Sequence, residues 1–241
     1  MIKTILAITA FGIFMIFSLI LFIPYIPLSL PGLYPVKERY VLMVTRFWAR
    51  FVISLTGGKV EVRGLENIPE DRNICFVANH QGYLDIPVVM ASIPRVIGFI
   101  AKKETKRIPI LSSWMKTMGC LFLDRKNPRQ AVQVFEEAVR HIREGKAKLI
   151  FPEGTRSRGG KMGEIKAGAL KLPFRSEAVV VPITIDGTYH LFEEHGRVSS
   201  GRVILTIHPP VATDGLSREQ QRETAGIIEQ RIASPLSSPS A

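Results

Sequence analysis

Charge is missing from the start of this chain. Between Thr4 and Val36 no residue carries one, and Ile5 to Ile23 is continuous apolar, helix-forming sequence closed by Pro24. A cleaved signal peptide fits poorly, because its n-region would hold only Lys3 and no small-x-small cleavage site follows. Retention as a membrane anchor is the expectation. Cysteine is scarce as well. The two present, Cys75 and Cys120, lie in apolar, strand-like runs with no metal-ligand spacing, which excludes a disulfide framework and reads as core thiols in a reducing compartment. Acidic residues are in deficit, with 21 Asp and Glu against 32 Lys and Arg, a formal net charge of +11. Such a balance implies an anionic partner: nucleic acid, anionic lipid or a phosphorylated substrate. The chain has no internal repeat, and its one biased stretch is the Ser/Pro/Ala tail from Ser234 to Ala241, expected to be disordered.

What is present falls into an appendage and a main domain. After the first apolar run, Pro24 to Pro35 is broken by Pro27, Pro31 and Gly32 and cannot be a regular helix. Val36 to Leu55 is amphipathic. Tyr40, Met43, Val44, Phe47, Phe51 and Leu55 recur at helical spacing, with Arg39, Arg46 and Arg50 on another side and Trp48 nearby. A basic helix of this kind resembles one lying in a membrane interface. Gly57-Gly58 closes the segment, so residues 1–58 read as membrane-anchoring helices and residues 59–233 as the main domain.

From Lys59 strands and helices alternate. Strands are expected at Val60–Arg63, Ile74–Ala78, Arg95–Ala101, Cys120–Leu123, Lys148–Phe151, Val179–Ile185 and Arg202–His208. Helices are expected from Ile86 through Ala91, at Pro109–Met118, after the Asn127-Pro128 cap as far as Gly145, at Ala167–Phe174 and at Ser217–Ala233. In the Asn127–Gly145 helix the buried stripe is expected to be Ala131, Phe135, Ala138 and Ile142. The alternation predicts an α/β fold: a mixed, largely parallel sheet flanked by helices.

The chemistry is expected at Asn79-His80-Gln81-Gly82-Tyr83-Leu84-Asp85, where a buried strand ends and a helix begins. In α/β sheets ligands bind at that edge. Across a turn containing Gly82, Asp85 can hold one imidazole nitrogen of His80 and leave the other to take a proton. Asp85 as a helix cap and His80 as a turn residue is the plainer alternative. Other strand ends are polar too: Lys102, Lys103, Lys106 and Arg107; Asp124-Arg125-Lys126; and Glu153-Gly154-Thr155-Arg156. Any one of these could be a solvated loop. Together along one sheet edge they would put a base beside cations and backbone N–H groups suited to a phosphate.

Four blocks then resemble the glycerolipid acyltransferase family, specifically the 1-acyl-glycerol-3-phosphate (lysophosphatidate) acyltransferases. They are Asn79-His80-x4-Asp85, Gly119–Arg125, Phe151–Ser157 and Val181-Pro182-Ile183. The resemblance implies acyl transfer to the free hydroxyl of lysophosphatidate, giving phosphatidate in phospholipid biosynthesis. The donor would be a thioester of acyl carrier protein or coenzyme A, acting as co-substrate, with no metal or other cofactor. It implies His80 as general base and Asp85 as its partner. Arg125 and Arg156 would hold the phosphate with backbone at Gly154 and Thr155, and Lys102 and Lys103 would assist. Glu153, acidic among these substrate-binding residues, would fix the loop or an arginine. No Gly-x-Ser-x-Gly elbow is present, and neither cysteine has a flanking base, so direct transfer is expected rather than an acyl-enzyme. His141, His190, His195 and His208 read as structural.

Two other readings compete. A different acceptor, such as glycerol 3-phosphate, a lyso-amino-lipid or a second phospholipid, would keep the fold. A non-enzymatic basic protein binding membranes would explain the charge but not His80 with Asp85. Nucleic-acid binding would call for aromatics among the basic loops, and few are there. The expected location is the cytoplasmic membrane with the catalytic domain on the cytoplasmic side. Ile5 to Ile23 as a helix reaches about 28 Å, barely the hydrocarbon thickness. It either spans, or pairs with Val36–Leu55 as a shallow hairpin in one leaflet; the hairpin is the expectation. The oligomeric state is not legible.

Overall fold

The computed structural model describes residues 1–70, 73–166 and 168–237. Seven strands form one sheet: β1 (Lys59–Arg63), β2 (Ile74–Ala78), β3 (Gly98–Lys102), β4 (Leu121–Leu123), β5 (Lys148–Ile150), β6 (Val179–Asp186) and β7 (Arg202–Ile207). Their order is β1-β7-β6-β2-β5-β3-β4. Every neighbouring pair is parallel except β6 with β7. The mixed, largely parallel α/β sheet expected from the sequence is what forms. Each residue of β2 is buried, as a central parallel strand covered on both faces must be.

Helices close both faces. On one, α4 (Asp85–Ser92) sets Val88 and Val89 against Phe76, Ile183 and Leu205. Burying a side chain of that size is worth about 1.5–3 kcal/mol. On the other, α6 (Pro128–Arg143), α7 (Lys171–Ser176) and α8 (Arg218–Ala233) cover Cys75, Val77 and Val180. Local chemistry sets the helix ends. The Asn127 side chain accepts the Gln130 N–H at 3.1 Å, and Ser217 and Gln220 form a reciprocal capping box. In α6 the buried residues are Val134, Ala138, Val139 and Ile142, with Phe135 packed beside them, so the stripe lies slightly around from the expected one.

Several boundaries differ from expectation. β3 begins at Gly98 rather than Arg95. There a side chain would collide with the Gly119 carbonyl, 2.7 Å from a Cβ, so the strand enters at the one residue that fits. The helix expected from Ala167 starts at Lys171, because Gly168 has φ +86°, which no right-handed helix passes through; Ala167 itself lies outside the described residues. In the tail expected to be disordered, Ser234–Ser237 forms a 3-10 turn, and 238–241 lie outside the described residues.

The appendage is two helices folded back on each other. The first, α1 (Ile2–Phe17), leads through turns and the short α2 (Phe22–Tyr25) to a 3-10 turn at Pro27–Ser29. The prolines interrupt the chain as expected. Then α3 (Tyr34–Thr56) returns, ended by Gly57 with φ +75°. The two long helices run antiparallel. Lys3 Nζ donates to the Thr56 carbonyl at 2.8 Å, and at the other end Tyr40 donates to the Leu21 carbonyl at 2.5 Å. Between them Phe14 stacks on Phe51 with centroids 4.4 Å apart. The amphipathic stripe is rotated from the expected one: α3 turns Val41, Val44, Ala49 and Ile53 inward, and leaves Met43 and Phe47 more than half exposed. The α1 face carrying Ile5, Ile8, Ile13 and Ile16 is bare too. The helical stretch Ile2–Tyr25 is long and apolar enough to cross a membrane.

Candidate active site

The parallel arrangement of β2, β5, β3 and β4 puts their C-terminal ends along one sheet edge. His80, Phe151, Lys102 and Asp124 follow or close those ends. The sequence expectation that the polar strand ends share an edge therefore holds in space.

Around His80 the backbone is pinned on three sides. Asn79, fully buried, makes both amide bonds to Ile185 of β6, at 2.7 and 2.8 Å. The His80 carbonyl accepts the Ser157 N–H at 2.8 Å, and the Gln81 carbonyl accepts the Arg158 N–H at 3.1 Å. The His80 N–H donates to Glu153 Oε1 at 2.5 Å. The imidazole lies flat on Phe151, with centroids 4.0 Å apart and 15° between planes.

His80 Nδ1 and Asp85 Oδ2 are 2.6 Å apart. Asp85 is fully buried, and the same Oδ2 accepts the Gly82 N–H at 2.9 Å, while Oδ1 accepts the Thr188 hydroxyl. So Asp85 opens α4, but its side chain points back into the turn instead of capping the helix. A carboxylate held by these donors fixes the ring tautomer that carries its proton on Nδ1. Among the described residues nothing bonds Nε2, so that nitrogen can accept a proton.

Of the residues expected at the substrate, the structure gathers some and separates others. Arg125 reaches across the end of β3 and donates to the Gly154 carbonyl at 2.9 Å, joining the β4 and β5 loops. Gly154 has φ +68°, and a side chain there would strike Lys166 Nζ at 2.9 Å. Thr155 is exposed at the loop tip. Arg156 stands with its Cζ 3.6 Å above the Tyr83 ring and bonds Glu193 at 3.3 Å. Glu153 is buried, and its second oxygen takes the Gly163 N–H at 2.7 Å. It fixes the loop, as its acidity implied, and not an arginine. Burial pushes its carboxyl above the ordinary range, against the pull of those two N–H bonds. Lys103 is turned to Asp124 at 2.6 Å, and Lys102 is exposed at the end of β3, unjoined to the arginines.

The four histidines expected to be structural have partners of their own: Lys148 for His141, Thr184 for His208, and Glu194 for both His190 and His195. Burial raises both cysteine thiols to about 12, so neither offers a thiolate. Sequence reasoning missed Thr188, Glu193, Lys166 and the platform Tyr83. Thr188 and Glu193 come from beyond β6, more than 100 residues from His80, with no spacing signal to join them.

The family model of the acyltransferases matches residues 59–186, more than half of the chain. This chain belongs to that family. The match runs from β1 to the end of β6 and so takes in His80, Asp85, Arg125 and Arg156, but stops short of Thr188 and Glu193. A chloroplastic 1-acyl-sn-glycerol-3-phosphate acyltransferase of Arabidopsis thaliana is 33% identical over 73% of this chain and 50% of its own. The acyltransferase of the same name from Borreliella burgdorferi is 29% identical over 82% of this chain and 80% of its own. The chain thus spans about half the length of the plant relative and most of the bacterial one. The crystal structure of the 1-acyl-sn-glycerophosphate acyltransferase PlsC from Thermotoga maritima superposes with a TM-score of 0.84 at 27% identity, covering 100% of this chain and 99% of that one. The superposition therefore includes the two-helix appendage.

Proposed function

We propose that this acyltransferase moves a fatty acyl group from a thioester of acyl carrier protein or coenzyme A to the free hydroxyl of 1-acyl-glycerol 3-phosphate, giving phosphatidate. The observation that carries the reading is the His80–Asp85 pair, with one ring nitrogen held and the other open, on the same sheet edge as Arg125 and Arg156. His80 Nε2 takes the hydroxyl proton as the oxygen attacks the thioester carbonyl. The tetrahedral adduct collapses with loss of the thiolate, which takes that proton from the imidazolium. Asp85 stabilises the imidazolium in between. Arg156 and Arg125 hold the acceptor phosphate, with Lys166 within reach of the same loop. The transfer needs no cofactor beyond the thioester.

The appendage seats the enzyme in one leaflet on the cytoplasmic side. Its antiparallel packing supports the hairpin: Lys3 bonds the end of α3, beside the catalytic domain, and is not sent away from it. Exposed Met43 and Phe47 on α3, with the bare face of α1, give an apolar surface for the lipid. A small apolar cavity lined by Met15, Trp48, Met90, Phe99, Trp114 and Met118 lies between this unit and α4.

The test is an assay of purified protein with lysophosphatidate, glycerol 3-phosphate and neutral lysolipids, each with both thioester carriers, read by mass spectrometry. Phosphatidate formed from lysophosphatidate at the highest kcat/KM is expected. Preferred acylation of another acceptor would reassign the substrate, and no acylation at all would overturn the reading.

A further inference from the structure

Glu193 sits where a carboxylate is hard to account for. It follows β6 in a turn and lies against the loops given above to the acceptor phosphate, where a negative charge works against an anionic ligand. Its side chain is only 4% exposed. Oε1 accepts the Tyr83 N–H at 2.6 Å and the Arg156 Nη1–H at 3.3 Å. Oε2 is buried with no hydrogen-bond partner among the described residues, and it lies so close to Gly82 that a Cβ there would come within 2.6 Å. One oxygen thus joins two chain segments. Tyr83 belongs to the turn that carries His80 to Asp85, and Arg156 belongs to the loop after β5. The Tyr83 ring supports the guanidinium from below while Glu193 holds its edge. Glu153, itself in the β5 loop, bonds His80 and Gly163; among the described residues Glu193 is the one side chain from outside both segments that bonds to each.

We propose that Glu193 is a positioning residue that holds Arg156 in register with the His80 turn, so that the acceptor's phosphate and its reacting hydroxyl are presented at a fixed separation. This rests on the assignment of Arg156 to the acceptor phosphate. Among the described residues Arg156 has one edge tied and its other N–H donors unpaired, which leaves donors to offer a tetrahedral oxyanion. Gly82 fits the same purpose. A Cβ there would lie 2.6 Å from Glu193 Oε2 and 3.1 Å from Oε1, so the carboxylate would have to shift.

The sign of one effect separates positioning from simple charge balance. If Glu193 only offset the charge of Arg156, its removal would tighten binding of an anionic acceptor. If it positions Arg156, removal weakens that binding. The experiment is a double-mutant cycle over E193A, R156A and the pair, with kcat and both KM values measured and melting temperatures recorded. E193A is expected to raise the acceptor KM about tenfold, the scale of one hydrogen bond to a charged group, with the thioester KM unchanged. E193Q keeps the volume and an acceptor for the Tyr83 N–H, and is expected to fall between E193A and wild type. The double variant is expected to match R156A alone in acceptor KM. A lower acceptor KM in E193A, or two effects that multiply, overturns the positioning role while leaving Arg156 in place. An acceptor KM unmoved by R156A overturns the phosphate assignment, and this inference with it. Should E193A fail to fold, the cycle is run with E193Q and the same criteria apply.

Discussion

Glu153 holds His80 by its backbone, not by its ring. Oε1 takes the His80 N–H at 2.5 Å, and Oε2 takes the Gly163 N–H at 2.7 Å. A glutamine in its place has one carbonyl oxygen for two donors and sets an NH2 against the other. We therefore expect Glu153→Gln to leave one half-buried N–H unpaired, to lower stability by about 1 kcal/mol, and to lower kcat with little change in either KM. Denaturant melts beside steady-state kinetics check this. Unchanged stability would show that the loop does not depend on Glu153.

His80 and Asp85 are expected to part company on stability. His80→Ala removes a ring that stacks on Phe151 but leaves little buried without a partner, so the fold is expected to persist while kcat falls about 10²–10⁴-fold. Asp85→Ala deprives the Gly82 N–H of its acceptor and leaves the Thr188 hydroxyl only the longer bond to Gln81 Oε1 at 3.4 Å. It is expected to lose activity to a similar degree and also about 1–3 kcal/mol of stability. Near-normal turnover in His80→Ala would remove the proposed base.

The strand pattern was readable because burial on both faces forces apolar runs, and β2, β6 and β7 stand out for that reason. The His80–Asp85 pair was readable because five residues and a glycine are enough to bring them together. Glu193 was not. It sits in Phe192-Glu193-Glu194-His195, which reads as a solvated turn, and only the path of the chain beyond β6 carries it under Tyr83. Lys148 was hidden in the same way. A lysine opening a strand reads as an exposed edge, yet this one is fully buried, with Nζ on the Gly119 carbonyl at 2.6 Å and on His141 at 2.9 Å. The faces of α3 were misread because both its sides are apolar, one for the core and one left bare.

Lys148 gives a pH signature. Burial pushes its ammonium down to about 8 from an ordinary 10.5. Between those values the unfolded chain binds the proton and the folded protein does not, so stability gains as pH rises across that window and is reduced below it. Lys148→Met is expected to flatten the difference, on the order of 3 kcal/mol, between pH 7.5 and 10.5. Cys75 and Cys120, raised to about 12, act in the opposite sense above pH 9 in both proteins, so the comparison is wild type minus variant. Parallel stability curves for the two would refute the shift.

The hairpin makes a prediction about sidedness. With Cys75 and Cys120 replaced and Lys3→Cys as the reporter, an impermeant thiol reagent is expected to leave intact cells unlabelled and to react after permeabilisation. Labelling from outside would mean that α1 crosses the membrane. The full chain is also expected to float with liposomes at low salt, and Phe47→Asp to weaken flotation. Complete recovery in the soluble fraction would defeat both arrangements.

If the antiparallel return of α1 along α3, locked at one end by Lys3 and Thr56 and at the other by Tyr40 and Leu21, seats the enzyme in one leaflet as proposed, it changes what concentration means for it. A catalyst seated in one leaflet meets its lipid acceptor by lateral diffusion in two dimensions, while the thioester arrives from the water in three. Its rate then follows the mole fraction of acceptor in that leaflet, and falls when inert lipid is added at constant bulk substrate.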